Sequence, residues 1–223
     1  MIDEGAIRIA AGAVTAYFIG AIPFALIIGK RYYGVDVREH GSGNLGATNV
    51  LRVLGARAAL ATFALDIAKG AAAVGLGILF HAAYVSPSAY DWVLLGTMLA
   101  AVLGHSYSPY VRFTGGKGVA TAAGALLVVT PLAWPVLFVS FVLVVYLTRL
   151  VSLGSVIIAL QFPVLVVLLY GDRPALIVLS LVTAALVVWR HRSNIGRIIR
   201  GQEDRISVGK GVATVREREG KAE

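Results

Sequence analysis

The chain alternates long apolar runs with short polar segments. Five apolar runs predict membrane-spanning helices, and they cover residues 7–29, 58–80, 92–104, 153–169 and 175–188. At 1.5 Å per residue, the first two are long enough to cross the roughly 30 Å hydrocarbon core of a bilayer. Asp3 and Glu4 precede the first run, and this acidic start is typical of a transmembrane helix with its N-terminus outside rather than of a signal peptide.

Two further apolar runs, 119–130 and 136–147, are only twelve residues each, with Pro131 and Pro135 between them. Each would span about 18 Å as a helix, so together they form either one kinked crossing or a hairpin of two short helices. Charge favours the hairpin, because it places seventeen of the twenty Lys and Arg residues on the inner side. A single crossing would put the basic C-terminal segment outside.

The sequence therefore predicts an all-α integral membrane protein with about seven transmembrane helices. The N-terminus would lie outside and the C-terminus in the cytoplasm. Residues 1–204 would form a single polytopic domain, followed by a mixed-charge cytoplasmic tail at 205–223.

Composition supports the membrane class. Hydrophobic residues make up 58% of the 223 residues and charged residues 14%, whereas a soluble domain carries roughly 25% charged residues. The chain has no cysteine, which excludes disulfides, cysteine-bound zinc and a cysteine thioester intermediate. Its net charge of +8 is explained by basic residues on the cytoplasmic side, so we expect no nucleic-acid partner.

Three polar segments interrupt the apolar pattern, at 41–52, 104–121 and 190–203. All three fall on the predicted cytoplasmic side, as does the short link 148–155. A site with one open face favours an enzyme that takes a soluble substrate from the cytoplasm over a transporter, which needs access from both sides.

Asp66 and Lys69 are charged residues deep inside a predicted span. Their i,i+3 spacing places them on one face of a helix, where opposite charges neutralise each other. The pair either has this structural role alone or also supports the first polar loop.

The residue types in the polar segments suit a phosphate group. Arg52 and Lys117 supply positive charge, and Gly115, Gly116 and Gly118 allow backbone N–H groups to approach a ligand closely. We expect these three glycines to offer N–H donors to the bound anion.

The three polar segments also carry a family resemblance. Residues 41–52 contain Ser-Gly-Asn-x-Gly-Ala-Thr-Asn-x-x-Arg, and 104–121 contain Gly-His-x-Tyr followed by Phe-x-Gly-Gly-Lys-Gly-Val-Ala-Thr. Residues 190–203 contain Arg-His-x-x-Asn-Ile-x-Arg and then Gly-x-Glu. In order, spacing and membrane setting, over about residues 7–204, these segments resemble the signature loops of the bacterial acyl-phosphate:glycerol-3-phosphate acyltransferases, the PlsY family.

The resemblance implies an activity in a bacterial cell membrane, with the active site facing the cytoplasm. A fatty acyl group would pass from a long-chain acyl phosphate to the sn-1 hydroxyl of glycerol 3-phosphate, giving lysophosphatidate and inorganic phosphate in the first step of phospholipid synthesis. The resemblance implies no cofactor and no metal. The other partners would be membrane lipids.

The resemblance also implies site residues. Those with a catalytic part would be Ser42, Asn44, His191 and Asn194. Those that bind substrate would be Ser42, Asn44, Thr48, Arg52, Gly115, Gly116, Lys117, Gly118, Ser155, His191 and Asn194.

Several alternatives stay open at this point. The proton acceptor is either His191 or a phosphate oxygen of the substrates, and we expect the phosphate to act, with His191 as a cationic ligand. A covalent intermediate on Ser42 has no recognisable His–Asp partner, so direct transfer is the simpler hypothesis. Rival functions are an anion transporter and a lipid-forming transferase that uses acyl-CoA or acyl-carrier protein.

Overall fold

The computed structural model describes residues 4–81 and 86–206. The described residues form ten α-helices and one 3-10 turn, Pro109–Val111, and contain no β-strand. The helices are α1 Glu4–Ala21, α2 Phe24–Tyr33, α3 Ala47–Leu54, α4 Ala56–His81, α5 Pro87–Ser106, α6 Val119–Val129, α7 Trp134–Thr148, α8 Val151–Tyr170, α9 Pro174–Arg190 and α10 Arg192–Ile199.

The first apolar run is broken, contrary to the prediction of one continuous helix over 7–29. Pro23 separates α1 from α2, because proline has no backbone N–H and its ring clashes with the preceding turn. The break leaves the carbonyl of Ile22 without a helical partner, and Lys69 on α4 donates a hydrogen bond to it at 2.8 Å. One intramembrane cation therefore closes the break.

Three described helical segments are long and apolar enough to cross a membrane, namely Glu4–Tyr33, Ala56–Phe80 and Val151–Tyr170. A fourth is added if α9 and α10, which meet at a 61° bend, count as one broken span. The total of seven crossings and the orientation stay predictions.

Helices α6 and α7 fold back on each other. The link between them lies beside the C-terminal end of α8, where the backbone N–H of Leu132 donates to the Tyr170 hydroxyl at 2.9 Å. At the opposite end, Lys117, two residues before α6, donates to Asn194 on α10, and the carbonyl of Arg149 after α7 accepts a bond from the backbone N–H of Ile206. This is the arrangement expected of a hairpin.

The surface of the bundle is apolar and much of its interior is polar. Leu79 and Leu168 expose more than 70% of their area, whereas Thr62, Thr97 and Ser180 are buried. Since lipid cannot hydrogen-bond, polar groups in such a protein must be satisfied inside it. The hydroxyls of Thr62 and Thr97 do so by donating to carbonyls in their own helices.

Glycines bring two pairs of helices into backbone contact. Gly20 and Gly104 join α1 to α5, and Gly70 and Gly124 join α4 to α6. A Cβ at any of the four would lie 1.8–2.0 Å from a carbonyl oxygen of the facing helix. Such small-residue contacts are a general means of packing helices in lipid, where no hydrophobic force drives association.

Replacing Gly70 by alanine should therefore destabilise the bundle. The added Cβ would lie 2.0 Å from the Thr121 carbonyl oxygen, so α4 and α6 must separate. We expect the melting temperature in detergent to fall by roughly 5 °C or more, as overpacking by a methyl group typically costs 1–3 kcal/mol. Gly75→Ala on the same helix is the matched control, because open space surrounds that position. Equal melting temperatures for the two variants would contradict the close-packing argument.

Candidate active site

Asn49 organises the first polar loop from inside. Its side-chain oxygen accepts hydrogen bonds from the backbone N–H of Ser42 at 2.8 Å and from the Ser42 hydroxyl at 3.2 Å. Its amide nitrogen donates to the carbonyls of Val37 and His40. Asn49 is 1% exposed. Its buried amide therefore pairs with backbone groups of the loop that would otherwise be paired in a helix or a sheet. The sequence analysis did not assign it a role, although it lies within the first motif.

The other predicted residues of this loop lie near one another but make no side-chain hydrogen bond to the other two loops within the described residues. Asn44 and Thr48 are half-buried, and Ser42 is exposed. Arg52, on α3, lies 3.4 Å from the carboxylate of Asp204, which is itself 73% exposed. Arg52 is thus held at the surface of the site by a weak, solvated ion pair.

The glycine loop is seated on the C-terminal end of α5. The N–H groups of Gly115 and Gly116 donate to the carbonyls of Ser106 and His105, both at 3.1 Å. The prediction that these two glycines offer N–H donors to a ligand is therefore wrong, because both N–H groups are used within the protein. Their small size matters instead, because a Cβ on Gly116 would lie 2.1 Å from the ring of His105.

The available donors lie later in the loop. Gly118 adopts a φ of 79°, which only glycine takes readily, and starts α6 without a side-chain cap. The first turn of a helix has unpaired N–H groups and the positive end of the helix dipole. In this loop the start of α6, after Gly118, is therefore where the backbone offers N–H donors.

Lys117 is directed into the site. Its ammonium group donates to the side-chain oxygen of Asn194 at 2.5 Å, which joins the second polar segment to the third. Burial lowers the pKa of Lys117 to about 8; the carboxylate of Glu203 opposes this, and the nearby charges of Arg197, Arg52 and Arg190 add to it. The lysine is therefore close to losing its charge near neutral pH.

His191 lies at the bend between α9 and α10. Its Nδ1–H donates to the carbonyl of Val187 at 2.8 Å, so Nε2 is the nitrogen without a proton in the neutral ring. Burial, together with the charge of Lys117, lowers the pKa of His191 to about 4. Burial thus favours the neutral ring, which is a hydrogen-bond acceptor at Nε2, and the expectation of a cationic His191 in the presence of substrate phosphates stays a prediction.

Glu203 connects the cluster, and the sequence analysis did not select it. Its carboxylate accepts hydrogen bonds from Ser152, Asn194 and Arg197, each at 2.7 Å. Burial opposes its ionisation, but these three hydrogen bonds outweigh burial and lower the pKa of Glu203 below its ordinary value. The available signal was its position as the last residue of the third motif.

Ser155 lies outside this network. Its hydroxyl donates to the carbonyl of Val151 in its own helix, and the residue lines an apolar groove of about 60 Å³. The groove lies between α6, α7, α8 and α9, and it borders the polar cluster through Val119, two residues after Lys117, and Val187, whose carbonyl holds His191. Among its lining residues are Val119, Leu126, Trp134, Phe138, Phe162 and Val187.

Asp66 and Lys69 lie directly behind the glycine loop. They form an ion pair of 2.7 Å, and His105 lies 3.7 Å from the same carboxylate oxygen. The ring of His105 is also 3.1 Å from the Thr121 hydroxyl. Because the carbonyl of His105 holds Gly116, this buried cluster supports the second polar loop. The sequence analysis considered support of the first loop instead.

The fold and the site together define a class of protein. It is a helical membrane protein with a cationic cluster at one end of its bundle, where Arg52, Lys117 and Arg197 lie near the carboxylate of Glu203. An apolar groove adjoins that cluster.

Comparison with known proteins gives the family. A family model described as glycerol-3-phosphate acyltransferase matches residues 10–201. A glycerol-3-phosphate acyltransferase from Bacillus cytotoxicus is 44% identical to the chain, and the match covers 88% of this chain and 94% of that protein. The corresponding protein of Fusobacterium nucleatum is 41% identical, with 86% and 95% covered. The chain belongs to the glycerol-3-phosphate acyltransferase family.

Two solved structures agree with this. They are crystal structures of PlsY, an integral membrane glycerol 3-phosphate acyltransferase, in a glycerol 3-phosphate form and in a lysophosphatidic acid form. Their TM-scores are 0.79 and 0.77, at 36% and 35% identity, and the matches cover 89% and 90% of this chain and 96% of each structure. The predicted family, the integral membrane class and the acyltransferase activity are confirmed.

Anion binding at this site should weaken as pH rises through about 8. Lys117 attracts an anion only while its amine is protonated, and with a pKa of about 8 it loses that proton near pH 8. We expect the affinity for sulfate, which keeps its charge over this range, to fall up to tenfold per pH unit above 8. The affinity for sulfate is measured from the rise in melting temperature with sulfate concentration at each pH.

Lys117→Arg should abolish this decline, because a guanidinium keeps its proton throughout the range. Lys30→Arg, at an exposed lysine paired with Asp36, is the control and should retain it. An unchanged decline in Lys117→Arg would assign the titration to another group.

Proposed function

We propose that the chain transfers a fatty acyl group from acyl phosphate to the sn-1 hydroxyl of glycerol 3-phosphate, releasing lysophosphatidate and inorganic phosphate. The observation that carries this proposal is the position of the cationic cluster at the start of an apolar groove. The cluster suits the phosphate groups of both substrates, and the groove suits an acyl chain. The glycerol 3-phosphate and lysophosphatidic acid forms of PlsY support the same substrate and product.

Positive charge and backbone donors would hold the phosphates. Arg52 offers a planar fork, and Lys117 a point charge beside the unpaired N–H groups that follow Gly118. The weak pairing of Arg52 with Asp204 is readily exchanged for a substrate phosphate. Neutral hydrogen-bonding groups around them would come from Ser42, Asn44, Thr48, Ser155 and Asn194.

A substrate phosphate is the stronger candidate for the proton acceptor. The pKa of His191 is about 4, whereas the second pKa of a phosphate monoester is about 6. A phosphate oxygen therefore takes up a proton more readily than this buried imidazole. His191 would then accept a hydrogen bond at Nε2 from the glycerol moiety and orient it.

Direct transfer fits the site better than a covalent intermediate. The Ser42 hydroxyl bonds to Asn49, and no histidine contacts it in the described residues. A serine without an adjacent base is a weak nucleophile. Acyl phosphate is already activated, so the site needs to orient the reactants and stabilise the oxyanion.

The setting of the enzyme is also proposed. We place it in the bacterial inner membrane with its site facing the cytoplasm, in contact with membrane lipids and without a nucleic-acid partner. We treat 1–204 as one polytopic domain and 205–223 as a tail, of which 207–223 lie outside the described residues. A transporter is disfavoured because the charged cluster lies at one end of the bundle.

Purified protein should use acyl phosphate as its donor, and the activity should survive EDTA. Glycerol 3-phosphate acylation is measured with acyl phosphate, acyl-CoA and acyl-carrier protein in separate reactions. Lys117→Ala should lose roughly ten- to a hundredfold in kcat/KM, which shows that the turnover comes from this site. Comparable turnover with acyl-CoA alone, or loss of activity on chelation, would overturn the proposed donor.

His191→Gln should retain more activity than His191→Arg, because glutamine keeps a neutral acceptor and arginine does not. In His191→Gln the acid limb of the kcat/KM profile should stay near pH 6, the range of a phosphate oxygen. Steady-state kinetics on both variants measure this. Disappearance of the acid limb in His191→Gln would identify His191 as the base. Greater activity of His191→Arg than of His191→Gln would support a cationic role for His191.

A further inference from the structure

Arg190 makes contacts that the proposed reaction does not use. It is the last residue of α9 and is half-buried. Its guanidinium donates a hydrogen bond to the carbonyl of Gly116 at 2.6 Å. The same guanidinium lies 5.3 Å from the centre of the Tyr107 ring. The end of α9 therefore holds the glycine loop directly.

The bond to Gly116 fixes the orientation of one peptide group. The described chain has no cis peptide bond, and in a trans peptide the C=O and the following N–H point in opposite directions. With the carbonyl of Gly116 directed at Arg190, the N–H of Lys117 is directed away from it. The N–H of Gly116 already donates to His105, so only the peptide after it is left to be oriented.

This matters because glycines flank the peptide group. A peptide between flexible residues can rotate at little cost, and Gly115, Gly116 and Gly118 give this loop that freedom. An anion site built from N–H groups works only if those groups already point at the ligand. The loop therefore needs an external contact to select one orientation.

We propose that Arg190 is a positioning residue that directs the Lys117 N–H into the anion site. The proposal rests on the proposed function, in which this loop binds the phosphate of glycerol 3-phosphate. Arg190 also precedes His191 in the chain, so it places the bend that carries His191 and Asn194 at a fixed distance from the loop. It acts through the loop and does not touch the substrate.

Tyr107 completes the arrangement. Its ring supports the guanidinium, and its own backbone is held by the Tyr17 hydroxyl, which donates to the Tyr107 carbonyl at 2.6 Å. The planar guanidinium of arginine donates N–H groups from its edge to the Gly116 carbonyl while its face packs on the Tyr107 ring. The ammonium group of lysine is not planar and cannot make both contacts at once. We therefore expect arginine to be required here.

The neighbouring Arg192 provides a matched control. It carries the same charge but is exposed, and its guanidinium lies 4.5 Å from the Trp189 ring and donates to the carbonyl of Trp189. It makes no contact with the glycine loop. Arg192→Gln therefore controls for the loss of one positive charge from this segment, and Arg190→Lys, which keeps the charge beside Lys117, controls for the local electrostatic effect.

The test is steady-state kinetics with glycerol 3-phosphate and acyl phosphate on purified, monodisperse variants. Arg190→Gln should raise the KM for glycerol 3-phosphate roughly tenfold or more, the range of one charge-assisted hydrogen bond, with a smaller change in kcat. Arg190→Lys should remain impaired, and Arg192→Gln should match the wild type.

A double-mutant cycle tests whether Tyr107 acts through Arg190. Tyr107→Leu removes only the support of the guanidinium, so it should raise the same KM by a smaller factor and add nothing in the Arg190→Gln background. If Arg190→Gln does not fold, Tyr107→Leu decides, with the exposed Tyr110→Leu as its control.

Equal KM values for Arg190→Gln and Arg192→Gln would overturn the proposal, as would additive effects of Tyr107→Leu or a loss confined to kcat. Where Arg190→Gln is not obtained, an unchanged KM in Tyr107→Leu overturns it. Turnover by the wild-type protein tests the proposed function separately, because it does not depend on the contrast between the two arginines.

Discussion

The geometry of the site depends on one buried carboxylate. Glu203 accepts hydrogen bonds from the start of α8 and from two residues of α10, so a single anion connects segments that are 51 residues apart. A site that binds phosphate must be cationic, and unpaired cations repel one another strongly where water is scarce. Glu203 reduces that repulsion with its negative charge. Its carboxylate oxygens already accept bonds from Ser152, Asn194 and Arg197, so the carboxylate stays directed at the protein.

The second loop depends on the glycines that pack α4 against α6, because α6 follows the loop directly in the chain. Close approach of the two helices at Gly70 and Gly124 accompanies a contact between Thr121 on α6 and His105, which lies beside Asp66. Lys69 also closes the break after α1. Helix packing, the buried ion pair and the glycine loop are thus mechanically connected, and the anion site inherits its rigidity from the membrane-embedded part.

The sequence predicts what depends on local pattern. Hydropathy and charge predicted the helical membrane class and the hairpin of α6 and α7, and the motifs pointed to Lys117, His191 and Asn194. It did not reveal partners that come from distant segments. The Ile22 carbonyl is paired by Lys69, 47 residues away, and Ser152 donates to Glu203 from 51 residues away. The partners of Asn49, Gly115 and Gly116 lie within 12 residues, but these contacts depend on how the two loops fold, and no periodic pattern in the sequence reports that.

Burial gives the site both its strength and its pH range. A low dielectric strengthens the attraction between Lys117 and an anion, but burial also lowers the pKa of Lys117 to about 8. The charges of Arg52, Arg190 and Arg197 lower it further, and the carboxylate of Glu203 opposes them. In the proposed reaction a phosphate would raise this pKa, since its negative charge stabilises the protonated amine. Protonation and anion binding are therefore linked at Lys117, and the same burial that strengthens binding sets the upper end of its pH range.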